Sequence, residues 1–351
     1  MAYTSIDKST EHFNTSLYAG DSQSTHAITG VGHQPDWVWL KYRGGNGNYN
    51  LWDVIRGVNN YIISNNGNAG SNDSTLFDSF DSDGFTVGNG GIVNDSGRNY
   101  VGWSWKAGGS GSSNTDGNRT STVSVNTTAG FSIVKYTGNE SAGATVGHGL
   151  GVAPDVIIVK NYAVTKEWNV YHSANTSTPQ NEYLIFNEGN STNSNSGRWN
   201  NTAPTSSIFT LGNGSETNGN GNTHIAYCFA EKKGFSKFGS YTGNGSSDGT
   251  FVYTGFKPAW WLVKRTDSSN NWIIFDNKRS TVNGFNVNNV LLLPNLIQGE
   301  NTNDGVVDFV SNGIKIRDTK DEFNNSSGTF IYMAFAENPF VTSTGVPGTA
   351  R

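Results

Sequence analysis

Six short apolar patterns recur in the same order three times along this chain, and that periodicity limits the possible fold more than any other feature. Tyr18-Ala-Gly leads to Pro35-Asp-Trp-Val-Trp-Leu-Lys41. Tyr136-Thr-Gly leads to Pro154-Asp-Val-Ile-Ile-Val-Lys160, and Tyr241-Thr-Gly to Pro258-Ala-Trp-Trp-Leu-Val-Lys264. Proline and lysine keep the same spacing in all three. Trp52, Trp168 and Trp272 each open an apolar run, followed by Asn60-Tyr-Ile-Ile, Glu182-Tyr-Leu-Ile and Asn289-Val-Leu-Leu. Gly84-Phe-Thr-Val, Ile208-Phe-Thr-Leu and Gly313-Ile-Lys-Ile take the fifth place. Tyr100-Val-Gly-Trp-Ser-Trp-Lys106, Ile225-Ala-Tyr-Cys-Phe-Ala-Glu231 and Ile331-Tyr-Met-Ala-Phe-Ala-Glu337 close the copies.

The copies run over residues 11–108, 129–234 and 235–340, the first sharing 1–108 with a short N-terminal segment. Residues 109–128, beginning Gly-Ser-Gly-Ser-Ser, read as a linker or long loop. Residues 341–351 read as a C-terminal tail, mobile or bound to a neighbour. The repeated runs are about four to eight residues long, rich in Val, Ile and aromatic residues, and bounded by Asn, Gly and Ser, which predicts strands. No segment sustains a helical apolar period, so helices are expected to be minor. The fold class that follows is all-β: three tandem antiparallel β-sandwich, jelly-roll-like repeats. Val156-Ile-Ile-Val has no polar face and is expected to be a central strand covered on both sides. Two arrangements stay open: modules packed around a pseudo-threefold axis, or modules strung like beads.

Composition separates this chain from a disordered one. Only 34% of residues are hydrophobic, but charged residues are just 15% and aromatics 12%, the reverse of a disordered composition. The 44 glycines and abundant asparagines supply turns. One cysteine, Cys228, excludes an intrachain disulfide. The opening Met-Ala-Tyr-Thr-Ser-Ile-Asp-Lys has neither the basic nor the apolar region of a signal peptide, so none is expected. No apolar run approaches the ~18 residues that span a bilayer, so membrane insertion is not expected. A formal charge of −5 with scattered Lys and Arg lacks the footprint of a nucleic-acid binder.

Several strings resemble virion-associated proteins of marine tailed bacteriophages. They are the opening residues with Phe13 and Leu17-Tyr18-Ala-Gly, then Gln34-Pro-Asp-Trp-Val-Trp-Leu-Lys41 and Phe80-Asp-Ser-Asp-Gly-Phe85. Tyr136-Thr-Gly-Asn, Gly147-His-Gly-Leu-Gly-Val-Ala-Pro-Asp155, Ile225-Ala-Tyr-Cys-Phe-Ala-Glu231 and Gly234-Phe-Ser-Lys-Phe-Gly-Ser-Tyr-Thr-Gly243 extend the likeness over nearly the whole chain. The resemblance implies a tail-fibre-like or structural protein of the virion, made in the host cytoplasm, with other virion proteins as partners. It implies no catalytic or binding residue. Coiled-coil heptads and an N-terminal anchor domain before the first repeat are both missing from the pattern, so a compact tail-tip or capsid decoration stands beside the fibre. Phage fibres are often homotrimers, whereas a chain with three modules could be a pseudo-trimeric monomer.

Ten tryptophans and fourteen tyrosines offer flat faces for sugar rings. Trp52, Trp168 and Trp272 share one repeated slot and are expected as core anchors. Trp37, Trp39, Trp103, Trp105, Trp199, Trp260 and Trp261 are not kept in every copy and are better ligand candidates. Trp199 leads them, because Arg198 and Asn200 beside it in a polar stretch add hydrogen-bonding groups. Asp78, Asp81 and Asp83 cover part of a calcium-loop spacing but lack its closing Glu, so an Asp-Gly turn is the better account. His33 and His148 read as loop residues, and no nucleophile elbow accompanies His148 or His172. Lys41, Lys160 and Lys264 read as solvated heads on packed stems, and Cys228 as buried and inert. No catalytic residue, metal site or cofactor is expected. The leading functional expectation is a phage surface protein that binds host-surface carbohydrate through weak multivalent contacts. A non-catalytic capsid or tail decoration comes second, and a glycan depolymerase, which would need paired acids in a cleft, third.

Overall fold

In the strand Val156–Asn161, alternate side chains leave the sheet on opposite faces, as the pleat requires. Val156 and Ile158 join one apolar core while Ile157 and Val159 join another. Thr223–Phe229 pairs on one edge of this strand and Asn169–His172 on the other, so it is central and covered on both sides. The same division recurs at Trp37, Trp39 against Val38, Leu40, and at Trp260, Leu262 against Trp261, Val263. The computed structural model describes residues 3–280, 286–302 and 305–347, and the chain is all-β with antiparallel sheets and a few short helices among them.

Three large sheets share one strand order. In the first, Phe13–Ala19 is followed by Asn99–Trp105, Trp37–Tyr42, Tyr49–Asp53 and Asn60–Ile63. In the second the order is Phe131–Thr137, Thr223–Phe229, Val156–Asn161, Asn169–His172, Glu182–Ile185. In the third it is Ser236–Thr242, Thr329–Pro339, Phe256–Arg265, Ile273–Asp276, Leu291–Leu292. A smaller sheet covers the outer face of each: His26–Thr29 with Gly84–Val87 and Phe77–Asp81, Ala144–Gly147 with Ile208–Leu211, and Phe251–Tyr253 with Gly313–Ile316, Val307–Val310 and Val287–Asn288. Each pair of sheets encloses its own apolar core, making a sandwich module.

The inner faces of all three large sheets meet in one further core. Trp37 lies 4.4 Å from Tyr227, Phe13 stacks on Phe335 at 5.1 Å, and Trp105 meets Trp260 edge-on at 5.7 Å, each contact crossing a module boundary. The modules therefore surround a common centre, and the arrangement as beads is excluded. Truncating one such buried Trp to Ala costs about 3–5 kcal/mol.

Two expectations are corrected. Residues 109–128 are not a plain linker: Ser112–Asn114 and Ser121–Asn126 add two strands to the second large sheet. Small polar residues, serine and threonine foremost, dominate the composition there, but Thr122, Val123 and Val125 carry β-branched propensity, and Ser121 and Val123 are buried. The repeated-tryptophan slot also shifts. Lys41 pairs with Tyr49, while one step beyond the pairs Val159–Asn169 and Val263–Ile273 stand Lys160 with Trp168 and Lys264 with Trp272. Tyr49 is thus the counterpart of Trp168 and Trp272 in the shared core, and Trp52 faces its own module's core. Of the tail, Ser343 bonds Asp7 from its backbone N–H at 2.6 Å, joining the two ends of the chain; residues 348–351 lie outside the described residues.

Candidate functional site

The chemistry-bearing side chains gather where the modules meet. Lys41, Lys160 and Lys264 end the central strands, and all three are fully buried. Lys41 Nζ donates to the carbonyls of Gly45, Gly47 and, from the third module, Ile297 at 3.0 Å. Lys160 Nζ donates to Lys166 and, from the first module, Gly67 at 2.9 Å. Lys264 Nζ donates to Arg265, Asn270 and, from the second module, Gly189 at 3.2 Å. Backbone bonds repeat the pattern: Gly47 N–H to Ile297 O, Lys166 N–H to Gly67 O and Asn270 N–H to Gly189 O, each at 2.8 Å. Each module reaches the one before it, and the first reaches the third, so the ring is closed within one chain. Burial lowers the ammonium pKa to about 8 at Lys41 and Lys160 and to about 7 at Lys264. The expectation of solvated lysine heads is overturned: each ammonium is enclosed by nearby carbonyls and by one carbonyl of a neighbouring module's loop.

A second set of groups lies deeper in the boundaries. Asp53 accepts from Arg56 Nε at 2.6 Å and from Tyr227 of the second module at 2.8 Å. Asp276 accepts from Arg279 Nε at 2.5 Å and from Trp103 Nε1 of the first module at 3.0 Å. In the second module the matching positions are His172 and Asn175. His172 Nδ1 accepts from the Ala174 N–H at 3.1 Å, so Nε2 carries the proton and donates to Tyr332 O of the third module at 3.1 Å. Burial depresses the His172 pKa to about 4, which keeps the ring neutral.

At this neutral boundary, between the second and third modules, the surface opens into a cleft of ≈ 720 Å³. Hydroxyls and an amide line it: Asn175, Thr176 and Thr192 from one side, Ser240, Thr242, Thr266 and Thr329 from the other, with Asp267 at the rim and the rings of Tyr241 and Phe330 behind. Arg265 holds the Asp267 carboxyl below its ordinary range by a hydrogen bond of 2.9 Å, so it stays an ionised acceptor. Such a surface offers donors, acceptors and a little apolar area, the chemistry of reversible polar binding.

The residues expected to bind a ligand lie elsewhere and are already engaged. Trp199 is 2% exposed and meets Tyr171 edge-on inside the second module's core. Arg198 pairs with Glu216 at 2.8 Å, donates to Asn169 Oδ1 at 2.7 Å and stacks over Tyr183. Asn200 ends the helical turn Ser196–Trp199 at φ 51, a left-handed position that Asn tolerates. Polar neighbours suggested a loop, but the short turn folds the indole inward and spends Arg198 on Glu216 and Asn169. The other nine tryptophans are buried as well, so no indole of this protein presents a face to solvent. Asp81 is spent on Ser79 and Thr86, and Asp83 on the backbone of Gly30 and Gly32, consistent with a turn. His33 and His148 are buried and bonded to the Thr10 and Thr205 carbonyls, and burial raises the Cys228 thiol. The repeated Pro-to-Lys spacing was the one signal that could have pointed to the boundaries. Thr192 and Thr266 carry no signal at all in a chain so rich in threonine.

Residues 8–339 match the family described as Domain of unknown function (DUF7483). No curated protein and no solved structure matches the chain.

Proposed function

The chain belongs to the DUF7483 family, and we propose that it acts as a non-catalytic surface protein of a tailed-phage particle, gripping host-surface carbohydrate through weak contacts repeated over many copies. The cleft between the second and third modules carries the binding part of this reading, since it is lined by hydroxyl and amide groups suited to sugar hydroxyls. The resemblance of the sequence to phage virion proteins supplies the particle. Display of many copies turns millimolar contacts into firm attachment. The burial of every tryptophan moves the expected binding surface away from Trp199 and onto the cleft.

A bracing decoration of capsid or tail is the second reading. It is favoured by exposed Phe251, Tyr253 and Phe340, apolar side chains on the third module that fit a neighbouring protein better than water. Gold-labelled antibody on intact virions separates the two. Gold at the distal tail supports host attachment, gold spread over the head supports bracing, and no gold on purified particles would sink both. Release of reducing ends from host polysaccharide would instead revive a depolymerase.

A further inference from the structure

The three module boundaries are built on one plan, and at two of them the place of the cleft is filled. Three backbone bonds fix the correspondence: Glu300 N–H to Arg43 O at 2.7 Å, Gly70 N–H to Tyr162 O at 2.8 Å, and Thr192 N–H to Thr266 O at 2.9 Å. Between the third and first modules, the paired positions hold Arg43 and Glu300, locked by hydrogen bonds of 2.6 and 3.1 Å, with Arg279 3.4 Å from the same carboxylate. Between the first and second modules, they hold Tyr162 and Gly70. A Cβ on Gly70 would stand 3.3 Å from the Tyr162 ring, so the ring occupies space that the glycine vacates. Between the second and third modules, they hold Thr192 and Thr266, and Asn175 stands where the others have Arg56 and Arg279. Three small polar side chains thus stand where one boundary has Arg43, Glu300 and Arg279 and the other has Tyr162 and Arg56 around Gly70, and the ≈ 720 Å³ cleft lies at this boundary.

The small groups that replaced them are organised but not saturated. Thr192 Oγ1 donates to Asn175 Oδ1 at 2.8 Å, which turns the Asn175 amide, leaving its Nδ2 donor without a protein partner among the described residues. Thr266 and Thr329 share a hydroxyl contact of 2.8 Å, and Thr329 N–H reaches Asp267 at 3.2 Å. No cationic side chain lines the cleft, and its one charge is the Asp267 carboxylate. Arg265 is already spent on that carboxylate and offers no free cation to an anion, whereas a neutral ligand would find both donors and an ionised acceptor.

We infer that the cleft between the second and third modules seats a neutral saccharide, with Asn175 Nδ2 as donor, Asp267 as acceptor and the Thr242 and Thr329 hydroxyls at its rim. The inference rests on the carbohydrate reading above for its ligand class and on the boundary comparison for its position. No covalent step is involved.

Purified full-length protein would be probed by ligand-observed NMR and, displayed on beads, by pull-down with dextran, mannan, galactan and, as the anionic control, dextran sulfate. Two variants block the cleft differently. Thr192→Glu with Thr266→Arg copies the filled boundary of the third and first modules, and Thr242→Arg plugs the rim without touching the buried contacts. The expected result is binding to at least one neutral polymer, weakened about tenfold or more in both variants, with thermal melting unchanged or raised. Equal binding by a folded plug variant would overturn the position of the site while leaving carbohydrate binding intact. Binding of dextran sulfate alone would overturn the ligand class. Binding of no polymer by the wild type would overturn this inference and the carbohydrate reading together.

Discussion

At the scale of single residues, the three buried lysines are the clearest case of side chains whose role depends on partners far away in sequence. Taking an ammonium out of water costs several kcal/mol, and charge-assisted bonds to carbonyls return about 1.5–3 kcal/mol each. The lysines therefore contribute little net energy but impose a strict geometry. Removing one leaves its carbonyls without a donor. Lys264→Met should lower stability by about 2–4 kcal/mol in urea unfolding, and an unchanged midpoint would show that water replaces the ammonium. The same groups set a pH dependence. Their folded-state pKa of about 7 to 8 lies below the ordinary lysine value of about 10.4, so the unfolded chain holds more protons between these limits. Stability should accordingly rise from pH 7 to pH 9.5, and Lys264→Met should flatten that rise. On the acid side, His33, His172 and His224 are held near a pKa of about 4, below the ordinary value of about 6.5. Their contribution is complete above the ordinary value and is lost as pH falls from about 6.5 to 4. A melting temperature that stays flat from pH 7 to 4.5 would contradict it.

At the scale of elements, the two-faced strand is the unit that joins module to molecule. Ile157 fills its own module's core and Ile158 the shared one, though they are neighbours in sequence. Ile→Ala at either position should cost about 2–5 kcal/mol. The two differ in what they loosen: hydrogen exchange in Ile158→Ala should quicken in the first and third modules as well, whereas Ile157→Ala should act within the second. Identical exchange maps would mean that the cores are not separable. This strand was legible in advance because an unbroken run of Val and Ile has no face to give to water. Ser121–Asn126 was not, because pairing with Phe131–Thr137 decides its state while its flanks read as linker.

At the scale of the whole molecule, a shared core and a closed ring of boundary bonds make the modules interdependent. Calorimetry should show a single transition whose van't Hoff and calorimetric enthalpies agree, and three separable transitions would contradict it. Light scattering should give the mass of one chain, because the boundaries a trimer would use are already satisfied within it.

The order of apolar runs, and with it the all-β class and the central two-sided strands, was determined by the sequence alone, since alternation and strand propensity are local properties. The sequence also marked Lys41, Lys160 and Lys264 as recurrent without disclosing that they are buried. Which surfaces face water was decided only by the tertiary structure. Trp199 looked exposed among polar neighbours and is enclosed, while Thr192 and Thr266, ordinary in sequence, line the cleft between the second and third modules. Exposure is set by what the other two modules place opposite a residue, and those partners are brought together by the closing of the ring, across separations over which local pattern carries no information.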